Sequence, residues 1–261
     1  PKITDLYLNK TLALLSIGKY SEALESCEKL KMLDKNNPKT FNFKGLIFLK
    51  QNKNYEAIDN FKKSLEIDNQ NSEVYNNLGI AYKRIKKYEE SIDCLKKSIN
   101  FNSNNPEAYI NLGSTYKNIR EFDEAIINYN KAIELNPNSF EAYNNRGLIY
   151  KDLNKMDNAL KDYEHSLKIK PTADVFNNIA NIYKNQSKLE KALDNYKKIL
   201  TFDEDYDAAF GNVIHTSNKL CIWNNYNENL IKLKKKIKNK KKVTSTLPLL
   251  SLFDSNDIIK Q

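Results

Sequence analysis

At 261 residues, with 40% hydrophobic and 29% charged, the chain can form one large domain or two ordinary ones with much surface per residue. No apolar run approaches the roughly 18 residues of a membrane span, and Cys27, Cys94 and Cys221 are too scattered for a metal site or disulfide framework, which points to a reducing, cytoplasmic setting. The net charge of +9 is concentrated: residues 226–242 hold eight lysines against Glu228, a local +7, so the basic balance says little about the bulk of the molecule.

The opening, PKITDLYLNK, has neither a secretory h-region nor a cleavage pattern. From there the sequence alternates two kinds of helix. First helices are expected near 4–17, 39–52, 72–86, 106–119, 140–153, 173–186 and 206–220. Second helices are expected near 20–34, 54–67, 88–101, 122–135, 156–169 and 189–202. With only six glycines and six prolines, short turns must join them. "NIREFD" (118–123) reads as the turn within a unit and "ELNPNS" (134–139) as the turn between units.

The alternation has a period. Gly45, Gly79, Gly113 and Gly147 lie 34 residues apart, and a one-residue shortening after Pro171 brings Ala180 to the same place. A second small series is Ala23, Ala57, Ser91, Ala125, Ala159 and Ala192. Cys27, Phe61, Leu95, Tyr129, Tyr163 and Tyr196 trail it by four. Pro137 and Pro171 close two units, and Pro38 and Pro106 sit slightly later in two others. Small side chains such as Gly113 and Ala125 let two helices approach closely, with Tyr109, Leu112, Tyr116 and Tyr129 expected to fill the gap.

This pattern resembles the tetratricopeptide repeat family, whose unit is an antiparallel helix pair. The resemblance implies an all-α, right-handed superhelical solenoid with a concave groove. Residues 1–204 would make six repeats. Residues 205–242 would make a seventh, atypical repeat and capping helix, with Tyr226, Leu230, Leu233 and Ile237 as its apolar stripe. Residues 243–261 would be a linker and the start of a following domain.

One column in the first helices is polar. Two residues before the glycine position stand Asn9, Phe43, Asn77, Asn111, Asn145, Asn178 and Asn212, six asparagines in seven. At 3.6 residues per turn, Asn111 points roughly 100° from Leu112 and about 200° from Tyr109, off the buried stripe. A carboxamide has one acceptor and two donors, matching the C=O and N–H of an extended peptide. Asn9, Asn77, Asn111, Asn145, Asn178 and Asn212 are therefore the candidate peptide-binding residues.

The repeat is broken by "VIHTSNKLCIWNNY" (213–226) and "LPLLSLFDSNDIIKQ" (247–261). Leu-Cys-x-Trp-x-x-Tyr followed by Pro-x-Leu-Leu-Ser-Leu-x-Asp-Ser resembles the O-linked N-acetylglucosamine transferase family and its SPINDLY-like relatives. Ile222 stands where that family has an acidic residue, and Asn256 where a proline is common. The resemblance implies a module that binds protein acceptors along the asparagine column, ahead of a catalytic region using a nucleotide sugar. A free-standing repeat scaffold for complex assembly is the alternative. Cys221, Trp223 and Tyr226 are expected to form a hydrophobic lid over the last repeat, and Asp254 or Ser255 to cap a short final helix.

Catalysis has little support within these residues. There is no His-Glu-x-x-His, phosphate-binding glycine loop or nucleophile elbow, so no catalytic residue, metal or cofactor is assigned. His165 aligns with outer-helix lysines, and His215 lies one turn beyond Asn212 on the groove side. The lysine run reads as a solvated helix face: the chain has three arginines and this tract no interleaved aromatics, so neither specific nucleic-acid binding nor a membrane partner is expected. Leu12, Leu46 and Ile80 occupy the positions where a clamp for C-terminal carboxylates would need asparagine. Proteins or extended peptides remain as partners.

Overall fold

The computed structural model describes residues 2–238 apart from Asp205, Asp207, Ala208 and Asn225. Among them there are fourteen α-helices and no strand. The first helices of the pairs are α1 (Lys2–Ser16), α3 (Pro38–Lys50), α5 (Ser72–Arg84), α7 (Pro106–Asn118), α9 (Phe140–Asp152), α11 (Ala173–Asn185) and α13 (Ala209–Lys219). Alternating with them are α2 (Tyr20–Leu33), α4 (Asn54–Ile67), α6 (Tyr88–Phe101), α8 (Phe122–Leu135), α10 (Met156–Ile169), α12 (Leu189–Phe202) and α14 (Tyr226–Lys238).

Local chemistry sets the boundaries. Asn37, Asn71 and Asn105 accept from the backbone N–H of Lys39, Val74 and Glu107 at 3.0–3.2 Å, capping α3, α5 and α7. Pro38 and Pro106 open α3 and α7, where a missing N–H costs nothing. The units are joined by Asx turns, in which Asp34, Asp68, Asn102 and Asn136 accept from the N–H two residues on. Inside each unit the chain reverses through one left-handed residue: Gly18, Asn52, Lys86, Arg120, Asn154, Ser187 and Cys221 have φ between 54° and 76°. The next N–H donates to the carbonyl five residues back, as in Lys87 to Tyr82 at 3.0 Å and Glu121 to Tyr116 at 3.0 Å. This is the Schellman closure. The helices that follow, α2, α4, α6, α8, α10 and α12, start without a side-chain cap.

The chain divides into two compact units, Pro1–Asn145 and Arg146–Gln261. In the first, α1 packs on α2, α3 on α4, α5 on α6 and α7 on α8, and each pair stacks on the next. First helices also touch along one side, α1 with α3, α3 with α5 and α5 with α7. In the second unit α11 packs on α10 and α12, α12 on α13, and α13 on α14.

The small-and-bulky series forms the core as expected. Ala23, Ala57, Ser91, Ala125, Ala159 and Ala192 are fully buried, as are Cys27, Phe61, Leu95, Tyr129, Tyr163 and Tyr196. A Cβ added at Gly113 would stand 3.1 Å from both the Ala125 carbonyl and the Tyr129 ring, and at Gly45 it would stand 2.5 Å from the Phe61 ring. The aromatic four before the glycine behaves differently from expectation. Ala108 is fully buried while Tyr109 is only half-buried, whereas Leu112, Gly113 and Tyr116 are buried as expected. Tyr75 and Phe176, at the same position, stack at 5.6 and 5.7 Å on Phe101 and Phe202, with Lys97 and Lys198 over their outer faces.

The last repeat differs from the lid expectation. Trp223 is 56% exposed and Cys221 is exposed, while Leu233 of α14 is fully buried. The side chains of Tyr226, Leu230 and Ile237, and all of residues 239–261 including the proposed linker, Asp254 and Ser255, lie outside the described residues.

Candidate functional site

The first helices carry the asparagine column, and its members are not equivalent. In the first unit Asn9 on α1 is exposed, Asn77 on α5 is 8% exposed, and Asn111 on α7 and Asn145 on α9 are half-buried. In the second unit Asn178 on α11 and Asn212 on α13 are half-buried. On α3 the column holds half-buried Phe43.

In the first unit the amides are wired from repeat to repeat. Asn77 Nδ2 donates to Asn42 Oδ1 at 3.4 Å, and Asn111 Nδ2 donates to Asn76 Oδ1 at 3.0 Å. Asn42 Nδ2 in turn donates to Glu73 Oε1 at 3.3 Å. Asn77 and Asn111 thus reach back to the residue just before the column in the preceding repeat. One N–H is committed, while the carboxamide oxygen and the second N–H stand outside that bond. The supporting positions, Asn42 and Asn76, are residues the column alone does not reveal. Their signal was the doubled "NN" of "VYNNLGIAY", "AYNNRGLIY" and "VFNNIANIY". Ile110 breaks that second series.

A lysine follows each column asparagine from α5 to α11 by six residues: Lys83, Lys117, Lys151 and Lys184. Lys83 Nζ donates to Ser114 Oγ of the next repeat at 3.2 Å. Burial, then the charges of Lys117 and Arg84, lower its pKa from 10.5 to about 8. Arg84 has a structural task, donating to the Leu49 carbonyl at 2.6 Å and to Asn52 Oδ1 at 3.3 Å, which closes the end of α3.

The two histidines lie on different helices, His165 on α10 and His215 on α13. His165 is exposed. His215 is half-buried, and its pKa is lowered by burial and by Lys219 and Lys184. Among the described residues no group of His, Cys, Asp and Glu could hold a metal, and no helix is long and apolar enough to cross a membrane. Burial pushes the thiols of Cys27 and Cys94 up to about 11, away from nucleophilic thiolate character. An open cavity of about 540 Å³ at the α1–α2 turn is lined by Leu12, Leu15, Ser16, Ile17, Gly18, Tyr20 and Lys50.

Comparison with known proteins bears on the family. The family description "TPR repeat" matches residues 45–86, 85–119 and 121–154, and "Tetratricopeptide repeat" matches 140–172 and 173–206. No curated protein matches the sequence. Among solved structures, MamA is 29% identical with a TM-score of 0.55, covering 60% of this chain and 92% of its own. PilF of Pseudomonas aeruginosa is 17% identical with a TM-score of 0.70, covering 78% of this chain and 93% of its own. YrrB, described as a TPR protein with an unusual peptide-binding site, is 23% identical with a TM-score of 0.53, covering 65% of this chain and 87% of its own. At those identities PilF and YrrB are likenesses of fold. The two family matches together span well over half of the sequence, with the helix pairs, small-residue approaches and turns in register, and the chain belongs to the tetratricopeptide repeat family.

Proposed function

We propose that the chain is a non-catalytic protein-interaction module whose first-helix face binds extended polypeptide segments through their main chain. The observation that supports this most is the wiring of the amides. A free asparagine side chain must be ordered when it binds, whereas Asn77 and Asn111 are already held by Asn42 and Asn76. The held carboxamide keeps an acceptor and a donor for a peptide group. Asn145, Asn178 and Asn212 extend the same role along the sequence, and exposed Asn9 is its least supported member. That the fold is shared with YrrB, described by its peptide-binding site, is consistent with this reading.

A net hydrogen bond contributes roughly 0.5–1.5 kcal/mol, so affinity must come from several rungs. Changing Asn77, Asn111 and Asn145 together to Ala should weaken binding of extended peptides about 100-fold, taking roughly 1 kcal/mol per rung. Isothermal titration with a peptide array hit is the measurement; unchanged affinity would defeat the amide column.

We further infer, from the likeness of residues 205–255 to the O-linked N-acetylglucosamine transferase family, that the module selects acceptor proteins for a nucleotide-sugar-dependent transferase. None of the similar structures named above is described as a glycosyltransferase, so this finer reading rests on that stretch alone. Sequencing the reading frame past Gln261 separates it from a free-standing scaffold, because only the transferase reading requires a sugar-nucleotide domain there.

A further inference from the structure

Helix α1 leaves bare a face that the later first helices cover. Its Leu6 and Ala13 hold the register places of Val74 and Ala81 in α5, and of Val175 and Ile182 in α11. At these two places every first helix from α3 to α13 has a buried residue, whereas Leu6 is 64% exposed and Ala13 is exposed. The cover is the preceding second helix. Ala57, Ile58 and Phe61 of α4 pack with Val74, Leu78 and Ala81, and Ala159 and Tyr163 of α10 pack with Val175, Ile179 and Ile182. A small residue followed four later by a bulky one is thus the shape that fits this face. Between Leu6 and Ala13 stands exposed Lys10, at the place of Lys44. The Lys44 ammonium lies 2.5 Å from the Glu28 carboxylate of α2, next in sequence to buried Cys27.

A single exposed leucine needs no partner, but the outer face of an end helix in a repeat stack is ordinarily polar, and this one keeps the pattern of an inner helix. A second copy does not supply the cover. Its own α1 would set Lys10 against Lys10, and its α14 carries Tyr226 at the place of Ala23 and Ala57, with Ile231 at the place of Glu28. A preceding unit joined like the others does not supply it either. Lys2 and Ile3 are already helical at the places of the turn residue Asn36 and the cap Asn37, so the handover that leads from α2 into α3 is not built ahead of α1.

We propose that α1 is the docking site for an amphipathic helix of a partner protein, seated on Leu6 and Ala13 as α4 is seated on Val74 and Ala81. The partner helix carries a small residue, a bulky apolar residue four later, and next to that an acidic residue that meets Lys10 as Glu28 meets Lys44. This continues the interface already present between the repeats and does not depend on the amide column.

The test uses the whole chain and two labelled helical peptides in anisotropy titrations. Both span residues 54–71, which hold the Ala57 and Phe61 pair of α4; one keeps Lys62, at the place of Glu28, and the other carries Lys62→Glu. The Glu peptide should bind about threefold tighter, the scale of one exposed ion pair, and Lys10→Glu in the chain should reverse that order. The double variant Leu6→Glu, Ala13→Glu should lose at least tenfold for both peptides with its thermal melt unchanged, since neither side chain is buried in the free chain. Bound peptide should also slow hydrogen exchange in α1, a readout independent of any variant. Binding that survives the double variant, or that protects another helix and not α1, would overturn the proposal. An order of the two peptides that ignores Lys10→Glu would overturn its acidic part. Self-association of the chain that is lost in the double variant would make a second copy the occupant instead. A protein extended ahead of Pro1 by its own reading frame that no longer takes up the Glu peptide would make the cover internal, and the partner helix would be withdrawn.

Discussion

A lysine that sheds water on folding, with other cations close by, holds its proton less firmly than it does in the unfolded chain. Lys83 is in that position, with a folded pKa of about 8 against an ordinary 10.5. Below pH 8 both states are protonated and the penalty is fully present. Between pH 8 and 10.5 the unfolded chain binds the proton that folded Lys83 has released, so stability rises with pH through that window. The penalty is on the order of 2–3 kcal/mol, larger than the roughly 0.3–1 kcal/mol that the helix C-terminus returns to a cation. Lys83→Gln should therefore raise the melting temperature at pH 7 by several degrees, the gain shrinking as the comparison moves toward pH 10.5. Circular dichroism melts of both proteins at pH 7 and pH 10 provide the check. A variant that melts lower at pH 7 would show that the Ser114 contact outweighs the repulsion.

At the scale of the helix pair, the reversal is built on a backbone conformation that the side chains there do not favour. Left-handed φ costs an L-residue roughly 1 kcal/mol relative to glycine, yet of the seven such turns only the first has one, Gly18. Arg120 recovers part of the cost by lying 5.8 Å over the Phe122 ring. Lys86 is exposed, so Lys86→Gly should stabilise the chain by about 0.5–1 kcal/mol and Lys86→Val should destabilise it, measured by urea unfolding. The reverse order would mean that the turn is not held left-handed in solution.

These turns also explain what could be read in advance. Second helices appear within one residue of expectation, because Ala57, Phe61 and their equivalents mark a buried face at helical spacing. First helices such as α3 and α5 end two residues early, at Lys50 and Arg84, because the Schellman closure begins there and polar residues such as Asn52 and Lys86 do not announce it. The asparagine column was visible as a recurrence. Its support was hidden, since Ile110 interrupts the Asn42 and Asn76 series and only packing shows the amides to be joined across repeats.

Within each compact unit, stacking in chain order makes stability a sum of local terms. Helices α4 to α7 have packed neighbours before and after them. By contrast α1 leaves Ile3, Leu6 and Leu12 more than half exposed, and α14 leaves Ile231 69% exposed. Those apolar surfaces gain little from leaving water, at ~25 cal/mol per Å² actually buried. Opening α1 or α14 should therefore cost only a fraction of global unfolding, while opening α5 or α6 must break packing on two sides. Hydrogen exchange followed by mass spectrometry should show amides of α1 and α14 exchanging orders of magnitude faster than those of α5 and α6. Uniform protection from α1 to α14 would show instead that the repeats unfold as one cooperative block, and that the end helices are held by more than their described contacts.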